Sequence, residues 1–123
     1  MGPTRAPGLV LRRFAEGRFD AVTSAAIGQE LGRAVRYEKV RTRIELTDDE
    51  LELWLVSYDV LAVQVEPTSV ERVVEADPAD DIYVAAALEG RARDIVSGDR
   101  HLLDLGSHQD VDVVAPRTFL DRV

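Results

Sequence analysis

The sequence of 123 residues contains no cysteine. This absence excludes disulfide bonds, thiolate catalysis and cysteine-ligated zinc. Any metal site must therefore be built from carboxylates and from at most two histidines. Ligation by oxygen atoms favours magnesium or manganese over the softer transition metals.

The sequence also lacks a long apolar run and an excess of positive charge. No stretch of about 18 apolar residues is present, and the first residues lack the order of a signal peptide, so we expect a soluble, cytoplasmic protein with no membrane segment. A formal net charge of −8 argues against nucleic-acid binding over the whole surface. One local basic segment remains, with Arg33, Arg36, Lys39, Arg41 and Arg43. It is either a solvated helix face or a contact for RNA phosphate or an acidic partner.

The length is sufficient for one compact domain, so residues 1–123 are predicted to form a single domain with a flexible segment at 1–8. Helices alternate with short strands along the chain. Helices are predicted at 9–16, 24–35, 47–58, 80–89, 102–105 and from 117, strands at 19–23, 61–65, 94–97 and 111–115, and a helical turn at 70–74. This alternation predicts a three-layer α/β/α fold with a parallel sheet between helices.

Local sequence signals predict three of the helix ends. Thr47 and Glu50 form a capping box, in which each side chain satisfies a backbone N–H of the first turn. Gly17 can adopt the left-handed conformation that ends a helix. Between these signals, Ser24 is expected to cap the second helix.

Carboxylates stand at the ends of two predicted elements. Asp99 follows the strand at 94–97, and ligands collect at the carboxyl ends of strands in an open parallel sheet. Asp80 opens a helix of small residues and is expected to point inward. For both residues the alternative is a helix cap, which is the favoured interpretation of Asp81. Asp77 is interpreted as the turn residue of an Asp-Pro unit.

Glu30 is the weakest of these candidates. Its position on the predicted helix would direct it toward a cleft. The alternative is an exposed ion pair with Arg33, because such pairs are the usual role of a glutamate on a helix. Clustered carboxylates repel one another unless a cation neutralises them. A magnesium or manganese ion removes this repulsion and lowers the pKa of a bound water.

These residues resemble the PIN-domain family of metal-dependent nucleases, many of which are the toxins of toxin–antitoxin pairs. The resemblance covers nearly the whole chain and is carried by 19–31, 77–88, 95–103 and 111–120. It implies a metal site that uses Glu30, Asp80 and Asp99, with Asp81 as a neighbouring ligand. The implied function is Mg²⁺- or Mn²⁺-dependent cleavage of RNA, with a small antitoxin as partner, and homodimer formation is left open.

The chain departs from the family pattern at its beginning. Family members usually start with a hydrophobic strand that ends in an aspartate, and residues 1–7 contain neither. The resemblance therefore implies a PIN-like fold that lacks its first, central strand and one metal ligand. Three explanations are open: a start assigned too far downstream or a truncated chain, a catalytically degenerate binding or interaction module, or a strand that another chain supplies.

Overall fold

The computed structural model describes residues 5–37, 42 and 47–123. Lys39, Arg41 and Arg43 of the basic segment lie outside these residues. The helices are α1 (Ala6–Ala15), α2 (Ala25–Ala34), α3 (Asp48–Leu61), α4 (Asp81–Glu89), α5 (Arg100–Leu105) and α6 (Pro116–Leu120). The strands are β1 (Val22–Thr23), β2 (Val63–Gln64), β3 (Asp94–Val96), β4 (Ser107–His108) and β5 (Val111–Val114).

The predicted helix ends are confirmed by the hydrogen bonds of their capping residues. The Thr47 Oγ1 accepts the Glu50 N–H at 3.2 Å, and a Glu50 carboxylate oxygen accepts the Thr47 N–H at 3.1 Å. The Ser24 hydroxyl accepts the Ile27 N–H at 3.3 Å. Gly17 has a φ of 75°, the left-handed conformation expected after α1.

Helix α1 starts earlier than predicted. It begins at Ala6, so residues 6–8 are helical and do not belong to a flexible segment. Pro7 lies in the first turn, where its missing N–H costs no helical hydrogen bond and its fixed φ suits the helix.

The described strands form two separate sheets. Strand β1 pairs in parallel with β2, while β3 pairs in parallel with β5, whose other edge pairs antiparallel with β4. These helices and parallel pairs confirm an α/β fold. Strand β4 was not predicted from the sequence, and it adds an antiparallel pair, because two residues connect β4 to β5 and so short a connection allows only an antiparallel hairpin. Gln109 in that connection has a φ of 54°.

Helix α4 lies against both sheets. Val84, on this helix, packs with Val74, Leu102 and Val113 in the main hydrophobic cluster. At the end of α4, Gly90 approaches β1 so closely that an added Cβ would lie 2.5 Å from the Val22 Cγ1. α4 therefore connects the two sheets through its packing. No helix in the described part of the chain has the length and apolar character needed to cross a membrane.

Candidate metal centre

Three aspartates lie together beside the start of α4. Asp77, Asp80 and Asp99 each contribute a carboxylate oxygen to a group in which all three atoms lie within 4.8 Å of one another. A 3₁₀ turn at Pro78–Asp80 brings the first two together, because residues three apart lie on the same side of such a turn. Asp99 reaches the same place from the loop after β3.

Hydrogen bonds hold Asp99 in place. Its carboxylate accepts the His101 N–H at 3.1 Å and so caps α5. The Ser97 hydroxyl accepts the Asp99 N–H at 3.0 Å. Both sequence interpretations of Asp99 therefore apply, since one carboxylate caps the helix and also lies in the group of three.

Asp80 is the buried member of the group. It occupies the N-cap position of α4, yet its side chain makes no capping hydrogen bond, so the capping alternative does not explain this carboxylate. Its Oδ2 atom is buried and has no hydrogen-bond partner among the described residues. A buried carboxylate oxygen without a partner is costly in the charged state.

Burial and the neighbouring acids change the pKa values of this group. Burial, followed by the hydrogen bond to Asp99 and the charges of Asp99, Asp77 and Asp81, raises the pKa of Asp80 from 3.8 to about 7. The hydrogen bonds from the Asp80 side chain and the His101 N–H lower the pKa of Asp99. The two acids therefore differ in proton affinity, and Asp80 retains its proton to a higher pH than Asp99.

The raised pKa of Asp80 predicts a pH-dependent stability. Without metal, the folded state binds the Asp80 proton more tightly than the unfolded state, so this group lowers the unfolding free energy as pH rises from about 4 to 7. The lowered pKa of Asp99 acts below this window. In thermal melts with chelator, the Tm of Asp80→Asn relative to the unsubstituted chain should therefore increase from pH 5 to pH 8.

Added Mn²⁺ should reverse this difference by stabilising the unsubstituted chain selectively. Parallel Tm curves for the two proteins in chelator would contradict the raised pKa of Asp80.

Asp81 has a structural role that the sequence did not indicate. Its carboxylate is buried, and Oδ1 accepts the N–H groups of Val73 and Val74 at 3.0 and 2.7 Å. Arg72 lies 3.7 Å from the other oxygen. The carboxylate is not part of the group of three. It was predicted to cap a helix, but it binds the loop that contains Val73 and Val74 instead. These bonds hold residues 73 and 74 in a loop, so the helical turn predicted there is absent.

Glu30 is not brought into the group of three carboxylates. Its side chain, about half exposed, forms an ion pair with Arg33 at 2.8 Å, as the alternative interpretation expected. The Glu30 charge nevertheless acts on the same tyrosine as the charges of two of the clustered acids. Burial raises the pKa of the Tyr83 hydroxyl, and the charges of Glu30, Asp80 and Asp99 add to this increase.

Asp77 was not selected as a site residue from the sequence. It does form the predicted turn, since its Oδ1 accepts the Ala79 N–H at 3.2 Å. Its spacing of three residues from Asp80 was the available signal, because residues at this spacing lie on the same side of a 3₁₀ turn. The sequence alone did not distinguish this turn from the first turn of an α-helix.

A PIN domain family model matches residues 1–101. This chain belongs to the PIN-domain family. The match includes all three clustered aspartates, and PIN domains are in general nuclease-like, dependent on divalent metal and able to bind RNA. No curated protein and no solved structure matches the chain.

The carboxylate group of this PIN domain fits a divalent cation. It offers only oxygen donors, which Mg²⁺ and Mn²⁺ prefer. Within the described residues the buried Asp80 Oδ2 lacks a partner, and burial together with the neighbouring acids raises the pKa of Asp80, which a cation would lower. Mg²⁺ commonly uses one or two carboxylates and retains several waters, so three acids are enough for a ligand set.

Proposed function

We propose that this PIN domain is a divalent-cation-dependent endoribonuclease in which Asp77, Asp80 and Asp99 bind Mg²⁺ or Mn²⁺. The main support is the group of three carboxylates within 4.8 Å, one of which has a buried oxygen that no other described residue pairs with. The group lies beyond the carboxyl end of β3, where open α/β sheets bind their ligands.

Each acid contributes differently to this proposed site. The His101 and Ser97 hydrogen bonds preorganise Asp99, so its carboxylate needs little reorganisation on binding. Asp80 must lose its proton to bind a cation, and its pKa of about 7 makes cation binding stronger as pH rises through neutrality. A bound divalent cation lowers the pKa of a water and stabilises the charge that develops on the phosphate.

Glu30 is proposed as a further acid of the site, because its charge, like those of Asp80 and Asp99, acts on Tyr83. It must leave its ion pair with Arg33 to contribute, and this exposed pair is weak enough to break readily. Asp81 supports the site through its bonds to residues 73 and 74 and is not proposed as a ligand. Arg33 and the exposed Arg36 are then available for RNA phosphates despite the net charge of −8.

The proposed biological role is that of a toxin in a toxin–antitoxin pair, whose antitoxin occupies the site. The test of the enzymatic function is cleavage of a fluorescent single-stranded RNA with Mn²⁺ or Mg²⁺. Internal cleavage is expected with either metal, and excess chelator should stop it. A DNA strand of the same sequence serves as the matched substrate control. Unchanged RNA cleavage in chelator, or none with either metal, would contradict the proposal.

A non-catalytic PIN-like binding module is the second candidate. Its support is that two of the acids that the resemblance implies as metal ligands have other partners. Glu30 pairs with Arg33, and Asp81 accepts backbone N–H groups, so the proposed cation site is reduced to Asp77, Asp80 and Asp99. RNA binding without cleavage, by a folded chain that binds no Mn²⁺, would favour this module over the nuclease.

A further inference from the structure

One exposed face of α2 continues into the turn that follows this helix. Glu30 and Arg33 lie on this face one helical turn apart, since their side chains form the ion pair at 2.8 Å. The Arg36 N–H donates to the Arg33 carbonyl at 3.2 Å. The Tyr37 N–H likewise donates to the Ala34 carbonyl at 3.1 Å. Positions 33, 36 and 37 therefore lie next to one another on the same side of the chain.

Tyr37 presents its ring to solvent. It is 66% exposed, whereas every other aromatic residue of the chain is buried or half-buried. Trp54 and Tyr58, for example, stack on each other with centroids 5.4 Å apart. Aromatic rings contribute most when both a face and an edge find partners. Tyr37 is thus the aromatic surface that the described part of the chain leaves open to a ligand.

The surroundings of Tyr37 are cationic. The Arg33 side chain is 70% exposed, and Arg36 is exposed as well. In the sequence, residues 33–43 contain five cations and the single acid Glu38, although the whole chain has a net charge of −8. Charge complementarity therefore favours an anionic ligand at this face and disfavours it on the acidic remainder of the surface.

Single-stranded RNA uses both the ring and the arginines. Unpaired bases stack on aromatic side chains, while arginines bind the neighbouring phosphates. An acidic peptide would engage the arginines and leave the ring face uncovered. A double-stranded RNA keeps its bases paired and stacked within the helix, so none is free to cover the ring. The combination of an open ring with two arginines thus favours an unpaired strand.

This face belongs to a helix that lies beside the proposed cation site. Helix α2 packs against α4, and α4 begins directly after Asp80. The Glu30 charge acts on Tyr83 of α4, as do the charges of Asp80 and Asp99. From Glu30 to Tyr37 the helical path advances about 10 Å, at 1.5 Å per residue. One RNA strand can therefore contact both Tyr37 and the clustered acids.

Building on the proposed nuclease function, we propose that Tyr37, Arg33 and Arg36 form a base-stacking subsite for single-stranded RNA beside the cation site. One unpaired base stacks on the Tyr37 ring, and the two arginines bind the adjacent phosphates. Arg33 exchanges its ion pair with Glu30 for a phosphate, which an exposed pair permits at little cost. The subsite rests on the proposed function and specifies which form of RNA is bound.

RNA binding in excess chelator tests the subsite without cleavage. The probe is a fluorescent single-stranded RNA of roughly eight nucleotides, whose anisotropy reports the affinity. Tyr37→Ala should weaken binding about tenfold because stacking is lost, whereas Tyr37→Phe keeps the ring and should bind within about twofold. The matched control is Val60→Ala, which truncates an exposed apolar side chain of α3 and should leave the affinity unchanged. Circular dichroism would establish that each variant is folded.

An abasic RNA with the same phosphates separates stacking from charge. It should bind the unsubstituted chain more weakly than the intact RNA, and Tyr37→Ala should not weaken its binding further. Arg33→Gln should instead weaken the binding of both RNAs. It should also reduce the slope of log Kd against log salt concentration by about 0.7, the value for one phosphate contact on a single strand.

Three results would overturn the subsite. One is RNA binding that is undetectable or that Tyr37→Ala leaves unchanged. Another is an equal loss of affinity for intact and abasic RNA, which would give Tyr37 a structural role only. The third is tighter, Tyr37-dependent binding of a polyglutamate peptide, which would assign this face to an acidic protein.

Metal-dependent cleavage distinguishes failure of the subsite from failure of the nuclease function. Normal cleavage together with RNA binding that does not depend on Tyr37 would refute the subsite alone. Tyr37-dependent binding without cleavage in Mn²⁺ or Mg²⁺ would refute the nuclease function and support the subsite.

Discussion

Asp80→Asn is expected to lower Mn²⁺-dependent RNA cleavage by at least about a hundredfold, and Asp99→Asn should have a similar effect. Asparagine keeps the size of the side chain but removes its charge and one oxygen donor. The loss should be largest for Asp80, because its Oδ2 is buried and the described part of the chain offers it no hydrogen-bond partner. Initial rates with the fluorescent RNA at saturating Mn²⁺ provide the measurement.

Asp110→Asn is the matched control for these substitutions. Asp110 is exposed in the β4–β5 connection, so the same chemical change there should leave the rate within about twofold. Circular dichroism and a thermal melt would establish that each variant is folded. Full cleavage by both Asp80→Asn and Asp99→Asn would exclude the proposed site.

Asp81→Ala is expected to lower the unfolding free energy by about 3 kcal/mol and the Tm by about 10 °C. The Asp81 side chain is buried, and its removal leaves the N–H groups of Val73 and Val74 without their acceptor. Because these groups lie beside the main hydrophobic cluster, water cannot replace the lost bonds without disturbing the packing. Chemical denaturation followed by circular dichroism measures the change.

Arg72→Ala separates the hydrogen bonds of Asp81 from its ion pair. The Arg72 side chain is 70% exposed and lies 3.7 Å from the carboxylate, so its loss should cost less than about 1 kcal/mol. If Arg72→Ala lowered the unfolding free energy as much as Asp81→Ala, the ion pair would account for the stabilisation by Asp81. A negligible loss for Asp81→Ala itself would contradict the role of its two backbone bonds.

The sequence predicted features that depend on neighbouring residues. The capping box of Thr47 and Glu50, the Ser24 cap and the left-handed Gly17 each act within a few residues of the chain, and all are present. The α/β class also followed from the order of the elements, and the PIN-domain family from the resemblance of four sequence segments. Asp80 and Asp99 were correctly placed near each other because each lies at the end of an element.

Features that depend on distant contacts were missed. The Asp81 carboxylate binds N–H groups eight and seven residues away, and no local pattern distinguishes this arrangement from a helix cap. Glu30 was selected by family position, while its ion pair with Arg33 follows from simple helical spacing. The division of the described strands into two sheets likewise depends on pairing between distant segments, which local periodicity cannot establish.

The central claim is that Asp77, Asp80 and Asp99 form a cation site, and a Mn²⁺ titration tests it most directly. The electron paramagnetic resonance signal of free Mn²⁺ reports binding without any substrate. At pH 8, we expect about one ion per folded chain, with affinity reduced at least about tenfold in Asp80→Asn and unchanged in Asp110→Asn. No Mn²⁺ binding by the folded chain, or equal binding by Asp80→Asn, would contradict the claim.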